Sequence, residues 1–184
     1  MSDFFERSKD GQLVVDLGQA RWWLRLYLLD LLELLGPSPE VPDDPLAALA
    51  ASAASAPERP ADPVLARLIP DGVLDDEGAA MEFRRFTHET LLARKRTDAR
   101  GLLQLLDGGP QPLDRGVAQR LLASLNDLRL MLGTRLMVTE DEQFHGDDFS
   151  ECAVYTSYQR LGWIQERLLE VLSPMTDQDR RRQV

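Results

Sequence analysis

Cysteine is almost missing from this 184-residue chain: Cys152 stands alone. No disulfide can close within the chain, which fits a reducing compartment. Histidine occurs only at His88 and His145. A His/Cys metal site therefore needs both histidines, Cys152 and a borrowed carboxylate to converge, and we expect no metal and no cofactor. The phosphate-binding G-x-G-x-x-G and Walker loops, the G-x-S-x-G nucleophile elbow and H-E-x-x-H are all missing, so no catalytic residue is assigned. The longest apolar run, Leu24–Leu35, is broken by Arg25, Asp30 and Glu33 and is too short to span a bilayer. Residues Met1–Gln12 carry Asp3, Glu6 and Asp10 without an apolar core, unlike a signal peptide. The cytoplasm is the expected location, with no membrane contact.

Positive charge is also scarce. Lys and Arg number 21 against 31 for Asp and Glu, a net charge of -10. That balance opposes general nucleic-acid binding, whose affinity comes from the phosphate backbone. Lysine is confined to Lys9 and Lys95 and asparagine to Asn126, while arginine, alanine, glycine and proline abound. Lysine and asparagine codons are AT-rich, so this bias reads as a high-GC bacterial genome.

What the chain does have is leucine, spaced for helices. A hydrophobic fraction of 43% is ordinary for a globular protein. The expected fold is mainly α: a compact bundle of about five helices with a small N-terminal β-hairpin, in one domain over 1–173. The hairpin spans 4–15, with Lys9-Asp10-Gly11 turning it and Asp-Gly favouring a type I′ turn. Asp16 reads as the N-cap of a helix that Gly36-Pro37 stops. Its leucines leave little polar surface, so it is either central in the core or half of an interface, a homodimer included. Residues 37–63 turn to Pro, Ala, Ser, Asp and Glu and are expected to be mobile or loosely packed, with a short Ala-rich helix over Leu46–Ser55. Asp62-Pro63 caps a short helix ending at Ile69-Pro70. Asp75-Asp76-Glu77 opens another, and the apolar phase changes at Thr87, which predicts two helices or a kink there. Gly108-Gly109-Pro110 ends that run. Asp114 caps a helix over about Arg115–Val138, and the last helix covers about Ser150–Leu172 before a polar tail over 174–184.

Polar residues inside apolar stripes are the candidates for function. Val117, Leu121, Leu125, Leu128, Leu132 and Leu136 fall within an arc of roughly 100°, with Arg129 and Arg135 in it or at its edge. On the last helix Tyr155, Tyr158, Leu161, Leu168, Leu169 and Leu172 form the apolar face, with Gln165 near its middle. A buried guanidinium needs a carboxylate, and Glu82 and Glu89 are the candidate partners. Arg129, Arg135 and Gln165 then form either a satisfied polar network or a small anionic pocket. The run Glu82–Arg100 holds six basic residues against three acidic ones, read as a solvated helix face or as a contact surface at Arg94, Lys95 and Arg96. Trp22 and Trp23 are candidate interface residues. The stretch Glu140–Glu151 carries six carboxylates without EF-hand spacing, an acidic loop suited to a basic partner.

Several of these stretches carry a family likeness. Glu82-Phe83-Arg84-Arg85-Phe86-Thr87 with Leu92-Ala93-Arg94-Lys95-Arg96, then Leu125–Leu136 followed by Val138-Thr139-Glu140, Asp10-Gly11 and Trp163-Ile164-Gln165-Glu166 together resemble an actinobacterial family, domain of unknown function 2017. The likeness covers most of the chain outside 37–63, and Asn126–Thr139 is its most specific part. It implies a cytoplasmic protein without established activity. Members of the family are often encoded beside an adaptor of the Clp protease, and some carry a label of transcriptional regulator. The functional expectation is a non-enzymatic protein-interaction module, linked through that context to Clp-type proteolysis. The alternatives are a DNA-binding regulator and a binder of small anions at the Arg/Gln cluster.

Overall fold

The computed structural model describes residues 4–37, 58–73, 75–138 and 148–173. The proposed Ala-rich helix, residues 38–57 of the 37–63 segment, most of the acidic stretch, His145 and the polar tail lie outside the described residues. The elements are β1 (Phe5–Arg7), β2 (Leu13–Val15), a 3-10 turn (Gly18–Ala20), α1 (Arg21–Leu34), α2 (Pro63–Leu68), α3 (Glu77–Gly108), β3 (Gln111–Pro112), α4 (Arg115–Arg135) and α5 (Phe149–Leu172). The fold is mainly helical, with five α-helices and one small antiparallel sheet among the described residues.

Local chemistry sets most boundaries. Asp62, Asp76 and Asp114 are N-caps whose carboxylates accept backbone N–H bonds from Val64 and Leu65, Ala79, and Val117 respectively. Each satisfies donors that the first helical turn leaves orphaned. Gly36 and Gly109 adopt positive φ (69° and 72°) just past the ends of α1 and α3, where a side chain is strained. Asp16 sits one residue early: its Oδ1 accepts from Gly18 N at 2.8 Å, and the 3-10 turn intervenes before α1.

The hairpin forms in the expected place, with Phe5 facing Val15 and Arg7 facing Leu13. Its turn differs from the expected type I′. Gly11 has φ 79° while Lys9 and Asp10 keep negative φ, and Gly11 N donates to Ser8 O. This is the three-residue loop, a tight turn followed by a left-handed glycine. A third strand, β3, pairs Val14 with Pro112 and Val15 with Gln111. The edge-to-face contact of Phe4 with Trp163 (5.6 Å) ties the sheet to α5.

α3 is one continuous helix through Thr87, so of the two expected alternatives the division into two helices does not hold. The Thr87 hydroxyl donates to Phe83 O four residues back and caps nothing. The phase change has another cause. Leu92, Ala99, Leu102 and Leu106 are buried in the core, whereas Phe86 is exposed and Phe83 lies over Gly72. In the first half of α3, before Leu92, only Ala80 and Arg84 are buried.

The central helix is α4, which touches α1, α2, α3 and α5. Leu121, Leu125, Leu128 and Leu132 are buried as their spacing demands, and Met131 joins them. Each such side chain contributes about 1.5–3 kcal/mol by leaving water. α1 buries Leu24, Leu28 and Leu31 but leaves Trp22, Leu26 and Leu29 exposed on its outer side. The inward face of α5 is Leu161, Ile164 and Leu168, with Ser157 and Gln165. It is rotated from the expected face: Tyr155 and Tyr158 are only half-buried and Leu169 is exposed. These flanking residues line a groove.

Candidate functional site: a cationic groove over Arg129

The trio Arg129, Arg135 and Gln165 is not one cluster. Six residues apart on one helix, the two arginines diverge by about 120°. Arg135 faces α1 and binds both carboxylate oxygens of Asp30, one through Nη2 at 2.9 Å and the other through Nη1. That pairing, above all, raises the Arg135 pKa against the lowering effect of partial burial. Arg129 faces α5. Its Nη1 donates to Gln165 Oε1 at 3.4 Å, and its Cζ sits 5.1 Å from the Tyr158 ring centroid. Gly162 permits this approach, since a Cβ there stands 3.5 Å from Arg129 Cζ and a longer side chain would take the same space. Among the described residues Arg129 has no carboxylate partner. Glu82 and Glu89, the expected partners, are exposed on α3 and pair with neither arginine.

Two open recesses meet at Asn126, Arg129 and Tyr158. One, about 740 Å³, lies between α2 and α4 and takes Arg59 and Arg67 into its wall. The other, about 1070 Å³, lies between α4 and α5 and takes in Arg94, Gln159, Trp163 and Gln165. Among the described residues of both walls, four arginines stand against one acid, Glu166. Arg59 and Arg94 each have a carboxylate 3.8 Å away, Asp71 and Asp98. In a chain of charge -10 this is a local reversal of sign.

The basic stretch of α3 divides into three fates. Arg94 is exposed at the groove. Lys95 turns inward and its Nζ lies 2.6 Å from Asp127 Oδ1 on α4. Arg96 is buried and crosses to α1, where Nε and Nη2 donate to Leu35 O (3.1 and 2.7 Å) and Nε to Gly36 O (3.0 Å). A guanidinium at a helix C-terminus satisfies carbonyls that otherwise lack donors. Arg84 is buried too, donating to Asp71 at 2.6 Å and Glu77 at 2.9 Å. Of the paired tryptophans, Trp22 is 74% exposed and Trp23 is buried edge-on to Tyr27.

Beside the groove lies a charge cluster that the sequence reading missed. Asp98 and Asp127 are both buried between α3 and α4. Burial pushes both carboxyls above their ordinary range, against the opposing pull of Arg94, Arg120 and Lys95 on Asp98 and chiefly of Lys95 on Asp127. Asp127 sits inside the wide buried arc of α4, between Ser124 and Met131. That position was the available signal.

Among the described residues no group of three or more His, Cys, Asp and Glu side chains is arranged to hold a metal ion. No described helix is long and apolar enough to cross a membrane. A family model for a domain of unknown function (DUF2017) matches residues 1–172, and the chain belongs to that family. No curated protein and no solved structure matches the chain. The family is one of unknown function, so no residue role comes with membership.

Proposed function

We propose that this protein is a non-enzymatic interaction module of the actinobacterial cytoplasm, and that it holds a segment of a partner protein in the groove over Arg129. The observation that carries this reading is the pair of open recesses joined at Arg129, with amides, tyrosines and arginines on their walls. Each recess has the volume of a drug-sized ligand site, and the two together suit a length of chain better than one small molecule. Aromatic and arginine side chains are also the residues that dominate protein contacts energetically. The family resemblance makes the machinery of Clp-type proteolysis the first place to seek the partner.

A DNA-contact role for α3 has less support. Arg84, Lys95 and Arg96 spend their donors inside the protein, away from any phosphate. The test is site-specific photo-crosslinking in cells. A photoreactive residue at Gln159, in the groove, should give discrete protein adducts that Arg129→Glu abolishes. The same residue at Gln19, on the 3-10 turn, should give none. Equal adducts at both positions, or none at Gln159, would overturn the reading.

A further inference from the structure

We infer that the groove selects a carboxylate-rich peptide segment, so that the partner presents glutamates and aspartates to it. This deepens the interaction reading and rests on it. The first argument is the donor inventory. Arginine can only donate, so the Gln165 atom facing Arg129 Nη1 must be the amide oxygen. With that oxygen turned to Arg129, Gln165 has its –NH₂ group left to donate. The residue is 8% exposed, so this amide is set in the groove floor by packing. The wall of the recess between α4 and α5 therefore presents donors from Arg129 and Gln165 side by side. Beside a guanidinium, a ligand that brings charged acceptors is favoured.

The second argument is preorganisation. The Arg129 guanidinium carbon lies over the Tyr158 ring, 5.1 Å from its centroid, and Gly162 leaves room for it on α5. The planar fork keeps N–H groups for a ligand in its own plane, which is the geometry a carboxylate binds bidentately. Holding the fork in place before binding reduces the ordering cost that would otherwise weaken the contact.

The third argument is charge at two ranges. Among the described residues Arg67 and Arg129, together with Arg59 and Arg94 that Asp71 and Asp98 partly offset, outweigh Glu166 and make the groove attractive at contact distance. Charges farther from the groove are screened beyond about 8 Å at physiological ionic strength. A short acidic segment seated in the groove meets the arginines. A nucleic-acid backbone, which must lie against a larger area, meets the acidic surface as well.

The experiment uses the full chain and a fluorescently labelled glutamate-rich peptide, followed by anisotropy, with the glutamine counterpart of that peptide as control. The glutamate peptide should bind, more tightly at low salt, and the glutamine peptide at least about tenfold more weakly. Arg129→Ala should lower affinity about tenfold to a hundredfold, the loss expected for a charge-assisted bond. Arg129→Lys should recover only part of it, because the point charge returns without the fork. Arg85→Ala, an exposed arginine on α3 that takes no part in the groove, should leave binding unchanged. Circular dichroism of each variant establishes that it is folded.

Equal binding of the two peptides, no binding of either, or no effect of Arg129→Ala would overturn the inference. So would displacement of the peptide by free glutamate at matching carboxylate concentration, which means a small-acid site. A labelled single strand of DNA that binds more tightly than the peptide through Arg129 would overturn it likewise. The two readings fail separately. Discrete crosslinks at Gln159 without glutamate-peptide binding would retain the interaction module and remove the acidic partner. Peptide binding without crosslinks in cells would retain the acid-recognising groove and remove the module.

Discussion

Replacing Lys95 by methionine keeps the length and apolar stem of the side chain but leaves Asp127 without its closest cation. The Lys95 and Asp127 side chains are 17% and 6% exposed, and their charged atoms are 2.6 Å apart. Removing one partner of a buried ion pair costs about 3–5 kcal/mol, because the remaining charge stays in a poorly polarisable surrounding. For a chain of this size 1 kcal/mol corresponds to roughly 2–4 °C in Tm, so the variant should melt roughly 6–20 °C lower at neutral pH. The loss should shrink on acidification. Burial already holds the Asp127 carboxyl above its ordinary range and Lys95 pulls it down, so without Lys95 it rises further. A carboxyl whose folded pKa exceeds its unfolded value gives most stability below the unfolded value and loses it as pH rises through the folded one. The double variant Lys95→Met/Asp127→Leu removes the orphaned charge and should recover most of the loss. Urea denaturation followed by circular dichroism, at neutral and acid pH, measures all three quantities. A cost under about 1 kcal/mol for Lys95→Met, with simple additivity in the double variant, is the behaviour of an exposed pair. It would refute the internal assignment of Lys95 and return that residue to the surface.

Further predictions concern other sites. Asp98→Asn should raise stability at neutral pH, because burial raises the Asp98 carboxyl and makes its ionised form unfavourable in the folded state. The advantage should vanish as pH falls toward the ordinary carboxylate value of 3.8, and melting curves across that range would show it; a variant less stable than the parent at neutral pH contradicts the assignment. The two adjacent tryptophans should differ sharply. Trp23→Ala should cost about 3–5 kcal/mol as a core truncation, whereas Trp22→Gln should stay within about 0.5 kcal/mol by chemical denaturation. Similar losses at both positions would mean that Trp22 is covered by something, a second copy of the chain being the first to test by sedimentation.

Much of the fold is written in local sequence, because caps and helical spacing act over a few residues. Asp62-Pro63, Asp76 and Asp114 open helices where their short acceptors can reach backbone donors, and the Leu121–Leu132 stripe is buried as its period requires. Two features stayed hidden for different reasons. β3 is only Gln111–Pro112, and a two-residue edge strand containing proline has no alternation to recognise. The continuity of α3 past Thr87 depends on which neighbours each half meets, and that is tertiary information.

Less of the groove was legible. Gln165 was singled out as a polar residue in an apolar face, and it is buried. Pairing Arg129 with Arg135 overlooked the angle between them, which α-helical geometry alone supplies. The partners were less accessible. Asp30, which binds Arg135, comes from a distant helix, and Leu35 and Gly36 receive Arg96 across a separation of about sixty residues. Nothing in a run of Arg-Lys-Arg says that two of its three side chains turn inward. The resemblance carried by Asn126–Thr139 did locate the family, and that same stretch supplies Asn126 and Arg129 to the groove.

The central claim is that Arg129 and Gln165 form an open face of donors waiting for carboxylates. It is tested most directly by nuclear magnetic resonance of the side-chain amide of Gln165 and the Nε–H of Arg129 during titration with the glutamate-rich peptide. Both signals should move together and saturate at one stoichiometry, while the Trp22 indole N–H stays in place. Movement of Trp22 with Gln165 and Arg129 unchanged would put the binding surface on α1 and contradict the account.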